Sequence, residues 1–155
     1  MSAPTVHSLY FEDLRLGMRE TLMRTVMDED VVGFARISGD DNPAHVDAEW
    51  AARSPFEGRV AHGMLTAGLV SGVLGTLLPG PGSVYMSQTL RWLAPVRPDD
   101  VLTATATVTA IDAEKGRVTL ETVVTRGEET VLTGRALVMP PRAEPKARPK
   151  RRARA

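Results

Sequence analysis

The stretch from Val60 to Leu78 constrains the fold more than any other, because it is the most apolar part of the chain and contains no Lys, Arg, Asp or Glu. A segment of this kind is either a membrane span or a helix buried within a protein. His62, Thr66, Ser71, Thr76 and the glycines Gly63, Gly68, Gly72 and Gly75 speak against the span. A buried helix from His62 to Leu78 is therefore predicted, and it needs cover on all its faces.

The rest of the chain supplies that cover. Beyond the breaker Pro79-Gly80-Pro81-Gly82 the pattern changes to an alternation rich in Thr and Val, which predicts strands over Val84 to Leu93, Val101 to Ile111, Arg117 to Arg126 and Thr130 to Met139. The links Asp112-Ala113-Glu114-Lys115-Gly116 and Gly127-Glu128-Glu129 have hairpin length, so the strands they join are expected to pair antiparallel. An earlier strand is predicted over Arg19 to Met27. An antiparallel sheet that curls around the single long helix buries both, which makes the chain α+β. Each helix glycine costs about 1 kcal/mol relative to Ala, so Gly68, Gly72 and Gly75 predict a close approach of the sheet.

With 155 residues, 43% hydrophobic and 25% charged, the chain can build one sizeable core, placed here in residues 1–139. It has no cysteine, which rules out a disulfide framework, a thiol nucleophile and a Cys-ligated metal and favours a cytoplasmic setting. Met1 to Leu9 has no basic cluster followed by an apolar run and does not read as a signal peptide. The net charge of +0 conceals an asymmetry: residues 140–155 hold seven Lys/Arg and one Glu, for +6, against −6 in the remainder. With four prolines and no apolar periodicity, 140–155 reads as a disordered basic tail. A solvated tail without a partner is the simpler reading, and an anionic partner the alternative.

The candidate chemistry lies in Ser38-Gly39-Asp40-Asp41-Asn42-Pro43-Ala44-His45. A helix over Asp28 to Ile37, with Asp28 as its cap, delivers this loop, and a short helix at about Asp47 to Arg53 follows it. Gly39 permits a sharp reversal and Pro43 keeps Asn42 out of helical geometry, so Asp40 and His45 can converge on one point and share a proton. These are also ordinary turn residues, and Asp40 or Asp41 alone would read as a helix cap.

Phe34 to Asp47, read together with Ala61-His62-Gly63-Met64 and with Leu93-Ala94-Pro95-Val96, resembles the MaoC-like hydratases, the (R)-specific enoyl-CoA hydratase group of the hot-dog superfamily. The resemblance covers roughly residues 8 to 139. It implies a hot-dog fold, a homodimer, and a reversible hydration of trans-2-enoyl-CoA to (R)-3-hydroxyacyl-CoA without a metal or organic cofactor. It also implies that Asp40 and His45 hold the reacting water, with Asp40 the base. Gly63, opening the buried helix, would offer its N–H to the thioester oxygen. Ser71, just over two turns on, would support the pair, as would Asn42; each has an ordinary structural role as its alternative. His62 reads as structural at the helix start, and with no third ligand at short spacing a metal site is not expected. Arg59, Arg91 and Arg97 are candidates for the CoA phosphates by proximity alone. Alternatives are dehydration of 3-hydroxyacyl-carrier-protein or another specialised thioester, and an acyl-CoA-binding module without turnover.

Overall fold

Leu102, Ala104, Ala106 and Val108 alternate with more exposed neighbours, and their period of two turns one face of a strand inward. The same alternation in the next strands places Val118, Leu120, Thr122 and Val124, then Leu132, Ala136 and Val138, on that face. Small residues stand opposite large ones across the ladder, as in Ala104 against Val124 and Leu120 against Ala136. The face is therefore shallow enough to receive a helix.

The computed structural model describes residues 9–143. After a short 3-10 turn at Phe11–Asp13 the elements are β1 (Arg19–Thr25), α1 (Asp28–Ser38), α2 (Pro43–Val46), α3 (Ala48–Ala52) and α4 (Gly63–Thr76). Then come β2 (Val84–Trp92), β3 (Val101–Asp112), β4 (Arg117–Arg126) and β5 (Glu129–Met139). The sheet order is β1-β3-β4-β5-β2, with every neighbouring pair antiparallel. The sheet curls around α4, which is the hot-dog arrangement. No helix among the described residues is long and apolar enough to cross a membrane.

Helix α4 buries Thr66, Ala67, Val70, Val73 and Leu74 against the sheet. The cover on all faces that its sequence predicts is not complete: Met64, Gly68, Ser71 and Gly75 are exposed. Five strands reach only part of the way round a helix, leaving this strip open. The expected close approach holds at Gly72, where a Cβ would lie 2.8 Å from Leu22 Cδ2 of β1. At Gly68 and Gly75 nothing lies within 4 Å, so those glycines answer to no contact within one copy of the chain.

Three local expectations change. The cap of α1 is Met27 rather than Asp28, and the Asp30 carboxylate accepts the Met27 N–H at 2.8 Å. Helix α2 is read as a turn in the sequence because it is only four residues long. Of the expected tail, Pro140–Ala143 pack on the body: Phe11 N–H donates to Pro141 O at 2.8 Å, Arg142 lies over the Phe11 ring, and Ala143 N–H donates to Glu12 at 3.2 Å. The remainder, 144–155, lies outside the described residues, as does His7.

Candidate active site

Helix α1 stops at Gly39, whose φ of 77° and N–H to Ala35 O (2.9 Å) make a left-handed C-cap that a side chain would strain. Ser38 Oγ then accepts the Asp40 N–H at 3.1 Å, and Asp40 Oδ1 receives the Asn42 N–H at 3.3 Å. Asn42 caps α2 by accepting from Ala44 N at 3.0 Å, with Pro43 in the first helical position. Asp47 caps α3 through Trp50 N at 2.9 Å. Neither Asp40 nor Asp41 caps a helix; the Asp40 carboxylate instead takes an ordinary turn role toward Asn42 N–H. The Asp40 side chain is left in an exposed loop.

Helix α2 carries His45 inward. Its Nδ1 lies 2.7 Å from Val60 O. A carbonyl oxygen only accepts, so Nδ1 bears the hydrogen, and in the neutral ring Nε2 is a bare lone pair. Reactive atoms of Asp40, His45 and His62 all fall within 4.8 Å of one another. The His45 and His62 rings stack with centroids 3.8 Å apart at 29°.

Beside them is a cavity of about 490 Å³ lined by Asn42, His45, Gly63, Thr66, Trp92 and Val96, among others. Gly63 is the first residue of α4, so its N–H has no partner within the helix. The carbonyl of the same peptide, His62 O, accepts from Leu65 N at 3.0 Å and Thr66 N at 3.4 Å, which orients that N–H. Trp92 Nε1 donates to Gly63 O at 2.8 Å, and a Cβ on Gly63 would stand 2.7 Å from that nitrogen. Only glycine fits beneath this indole. An imidazole with a bare nitrogen and a free helix amide thus line one cavity, with a carboxylate within 4.8 Å of the histidine pair, a set suited to moving a proton next to a developing oxyanion.

Asn42, His45 and Gly63 line the cavity; Asp40 does not, and lies within 4.8 Å of His45 and His62. Ser71 lies elsewhere, in a cleft between α4 and β2 with Met64, Gly68, Tyr85 and Gln88. Eight residues advance a helix by about 12 Å and leave the side chain about 80° past its starting direction, so Ser71 does not return to the face of Gly63. Arg59 is not at a pocket mouth: its Nε donates to His45 O at 2.7 Å and its guanidinium pairs with Asp28 at 2.5 Å. Arg97 donates to Phe56 O, whereas Arg91 is exposed on β2. The sequence reading passes over Trp92, whose only signal is an aromatic at the end of a strand.

Asp40, His45 and His62 are also the donor types that hold a metal. Here His45 Nδ1 and His62 Nε2 are already engaged by carbonyls. One ring nitrogen is left on each of the two stacked imidazoles, whose planes are tilted by 29°.

Residues 17–131 match the MaoC like domain family. The 3-hydroxybutyryl-CoA dehydratase of Methylorubrum extorquens is 50% identical over 141 residues, 91% of this chain and 90% of that protein. The (R)-specific enoyl-CoA hydratase of Rhodospirillum rubrum is 47% identical over 141 residues, 91% of this chain and 98% of that protein. Among solved structures, the (R)-hydratase from A. caviae involved in PHA biosynthesis superposes with a TM-score of 0.81 at 40% identity, covering 84% of this chain and 99% of that one. The matched span contains the Asp40–His45 loop, α4 and four of the five strands in full. With this span, this fold and this degree of identity, the chain belongs to the MaoC-like domain family.

Proposed function

We propose that this chain is an (R)-specific enoyl-CoA hydratase, a hydro-lyase that interconverts trans-2-enoyl-CoA and (R)-3-hydroxyacyl-CoA. One observation carries the reading: the His45 imidazole and the free Gly63 amide line a single cavity, and the Asp40 carboxylate lies within 4.8 Å of the histidine pair beside it. A water held between Asp40 and His45 Nε2 gives a proton to Asp40 as its oxygen bonds to C3 of the enoyl group. Electron density moves through C2 to the thioester oxygen, where the Gly63 N–H, favoured by the dipole of α4, stabilises it. The enolate then collapses and takes a proton at C2 from the Asp40–His45 pair. Run backwards, the same steps dehydrate a 3-hydroxyacyl thioester, and both directions occur among the names of the relatives.

A homodimer and a cytoplasmic setting belong to the same reading. Edge strand β2 and its surroundings expose Val84, Tyr85, Met86, Trp92, Leu93 and Met64, next to the open strip of α4. The opposite edge, β1, exposes one large apolar side chain, Met23, among the charged Arg19, Glu20 and Arg24. An apolar edge invites pairing and a charged one resists it, which supports a second copy seated on β2. The absence of cysteine supports the cytoplasm.

The test is the loss of enoyl absorbance with crotonyl-CoA and longer trans-2-enoyl-CoAs, with chiral analysis of the product. An (R)-3-hydroxy product, lost in Asp40→Asn and in His45→Ala while both variants melt like the parent, is the expected result. Near-normal turnover in either variant refutes the assignment of the site.

A further inference from the structure

His62 is only 2% exposed and stands at the N-cap of α4, yet its side chain does not cap the helix. It reaches instead to the catalytic loop, with Nε2 2.8 Å from the main-chain oxygen of Asp40. That oxygen can only accept, so Nε2 bears the hydrogen. Nδ1 is buried and has no hydrogen-bond partner. His45 is the reverse, with its hydrogen on Nδ1 toward Val60 O. The two stacked rings are therefore held in opposite tautomers, each by one main-chain carbonyl.

The surroundings make this a clamp. Phe34, from the helix that launches the loop, packs on His62 with centroids 4.8 Å apart. Within the same short segment, Arg59 Nε donates to His45 O at 2.7 Å and Val60 N–H donates to Ala44 O at 3.1 Å. Residues 59–62 thus grip the loop at Asp40, Ala44 and His45. The Asp40 end of that grip depends on one hydrogen, the His62 Nε2–H. The Asp40 residue is exposed, so its end of the loop is held from one side only, by this bond. Cutting it releases the position of the carboxylate more than it disturbs the fold.

Resting on the assignment of Asp40 and His45 above, we propose that His62 is a positioning residue for that pair. Its Nε2–H fixes the main chain of Asp40, and its ring face sets the plane of His45 so that the bare Nε2 of His45 stays directed at the shared water. A misplacement of about 1 Å at a reacting group can cost on the order of a hundredfold in rate. The loss falls on kcat, because His62 is buried and its contacts are to the Asp40 main chain and the His45 ring.

Two variants of the full chain separate the contributions. His62→Phe keeps an aromatic face for stacking and removes the donor. His62→Gln loses the ring and places an amide N–H near the position of Nε2. His62→Phe is expected to lower kcat by about ten- to a hundredfold with KM within about twofold, and His62→Gln to recover much of that loss. Independently of turnover, two-bond proton–nitrogen NMR on wild-type protein with labelled histidines should find His45 as the Nδ1–H tautomer and His62 as the Nε2–H tautomer. Wild-type kcat in His62→Phe, a loss confined to KM, or the same tautomer on both rings overturns the proposal. The NMR result holds even where His62→Phe fails to fold. Failure of the hydratase reading itself is recognised separately, by turnover that survives in Asp40→Asn.

Discussion

Replacing Gly63 by alanine adds one methyl group directly against the Trp92 indole. Its Cβ would lie 2.7 Å from Trp92 Nε1, 2.9 Å from Cε2 and 3.2 Å from Cδ1, all atoms of a rigid ring rather than the free end of a flexible chain. The indole has to move, and its hydrogen bond to Gly63 O, now 2.8 Å, is lost or stretched. That bond contributes ~1 kcal/mol net, and overpacking of this kind costs ~1–3 kcal/mol. Against this stands the better helix propensity of alanine, at most ~1 kcal/mol and less in the first turn. The net is a destabilisation of ~1–3 kcal/mol, or roughly 2–4 °C in Tm per kcal/mol for a chain of this size. Catalysis should suffer more. If the first turn of α4 shifts to relieve the clash, the Gly63 N–H leaves its aim, and loss of such a donor costs about a hundred- to a thousandfold in kcat. Thermal melting and initial rates on crotonyl-CoA measure both, and Gly63→Ala/Trp92→Leu, which removes the obstructing ring, should restore part of the rate. A lowered Tm with unchanged kcat would refute the role given to the Gly63 amide. An unchanged Tm and kcat together would show that the indole yields freely and that the crowding has no consequence.

Other consequences are open to measurement. Leu120, fully buried on the inner face of the central strand β4, should cost ~2–5 kcal/mol on truncation to alanine, read from denaturant unfolding; a cost below ~1 kcal/mol would contradict the packing described here. Met86→Lys on the β2 edge should convert a dimer to a monomer in light scattering, whereas a parent chain that is already monomeric removes the basis for that interface. Glu12 is held below the usual range for a glutamate by its own main-chain N–H, then by the Ala143 N–H, with Arg142 adding to both. A carboxylate with a depressed folded-state pKa stabilises above its unfolded value and loses that contribution as pH falls through the folded one. The Ala143 amide shift should accordingly titrate with an inflection below the ordinary glutamate value, and an inflection at or above that value would count against the tether.

What the sequence determined by itself was everything set by near neighbours. The alternation of Thr and Val yields β3, β4 and β5 to within a residue or so of their ends, because the pleat has a period of two whatever the strand packs against. Gly39 and Asn42-Pro43 specify the reversal and the cap that present Asp40 and His45, since each acts through its own φ angle or over a span of two residues. The resemblance read on those residues is why the pair was legible before any coordinate. Tertiary structure alone decided the rest. The His62–Asp40 contact spans 22 residues and Trp92–Gly63 spans 29, and no local preference encodes a partner at that distance. It took the folded chain to turn Arg59 inward onto His45 and Asp28 and to place Ser71 in a separate cleft. An apolar helix likewise does not declare which of its faces the sheet will leave open. The difference is physical: local elements follow from steric and hydrogen-bonding preferences of adjacent residues, whereas the grip of residues 59–62 on the Asp40–His45 loop exists only once the curl of the sheet has fixed where α4 begins.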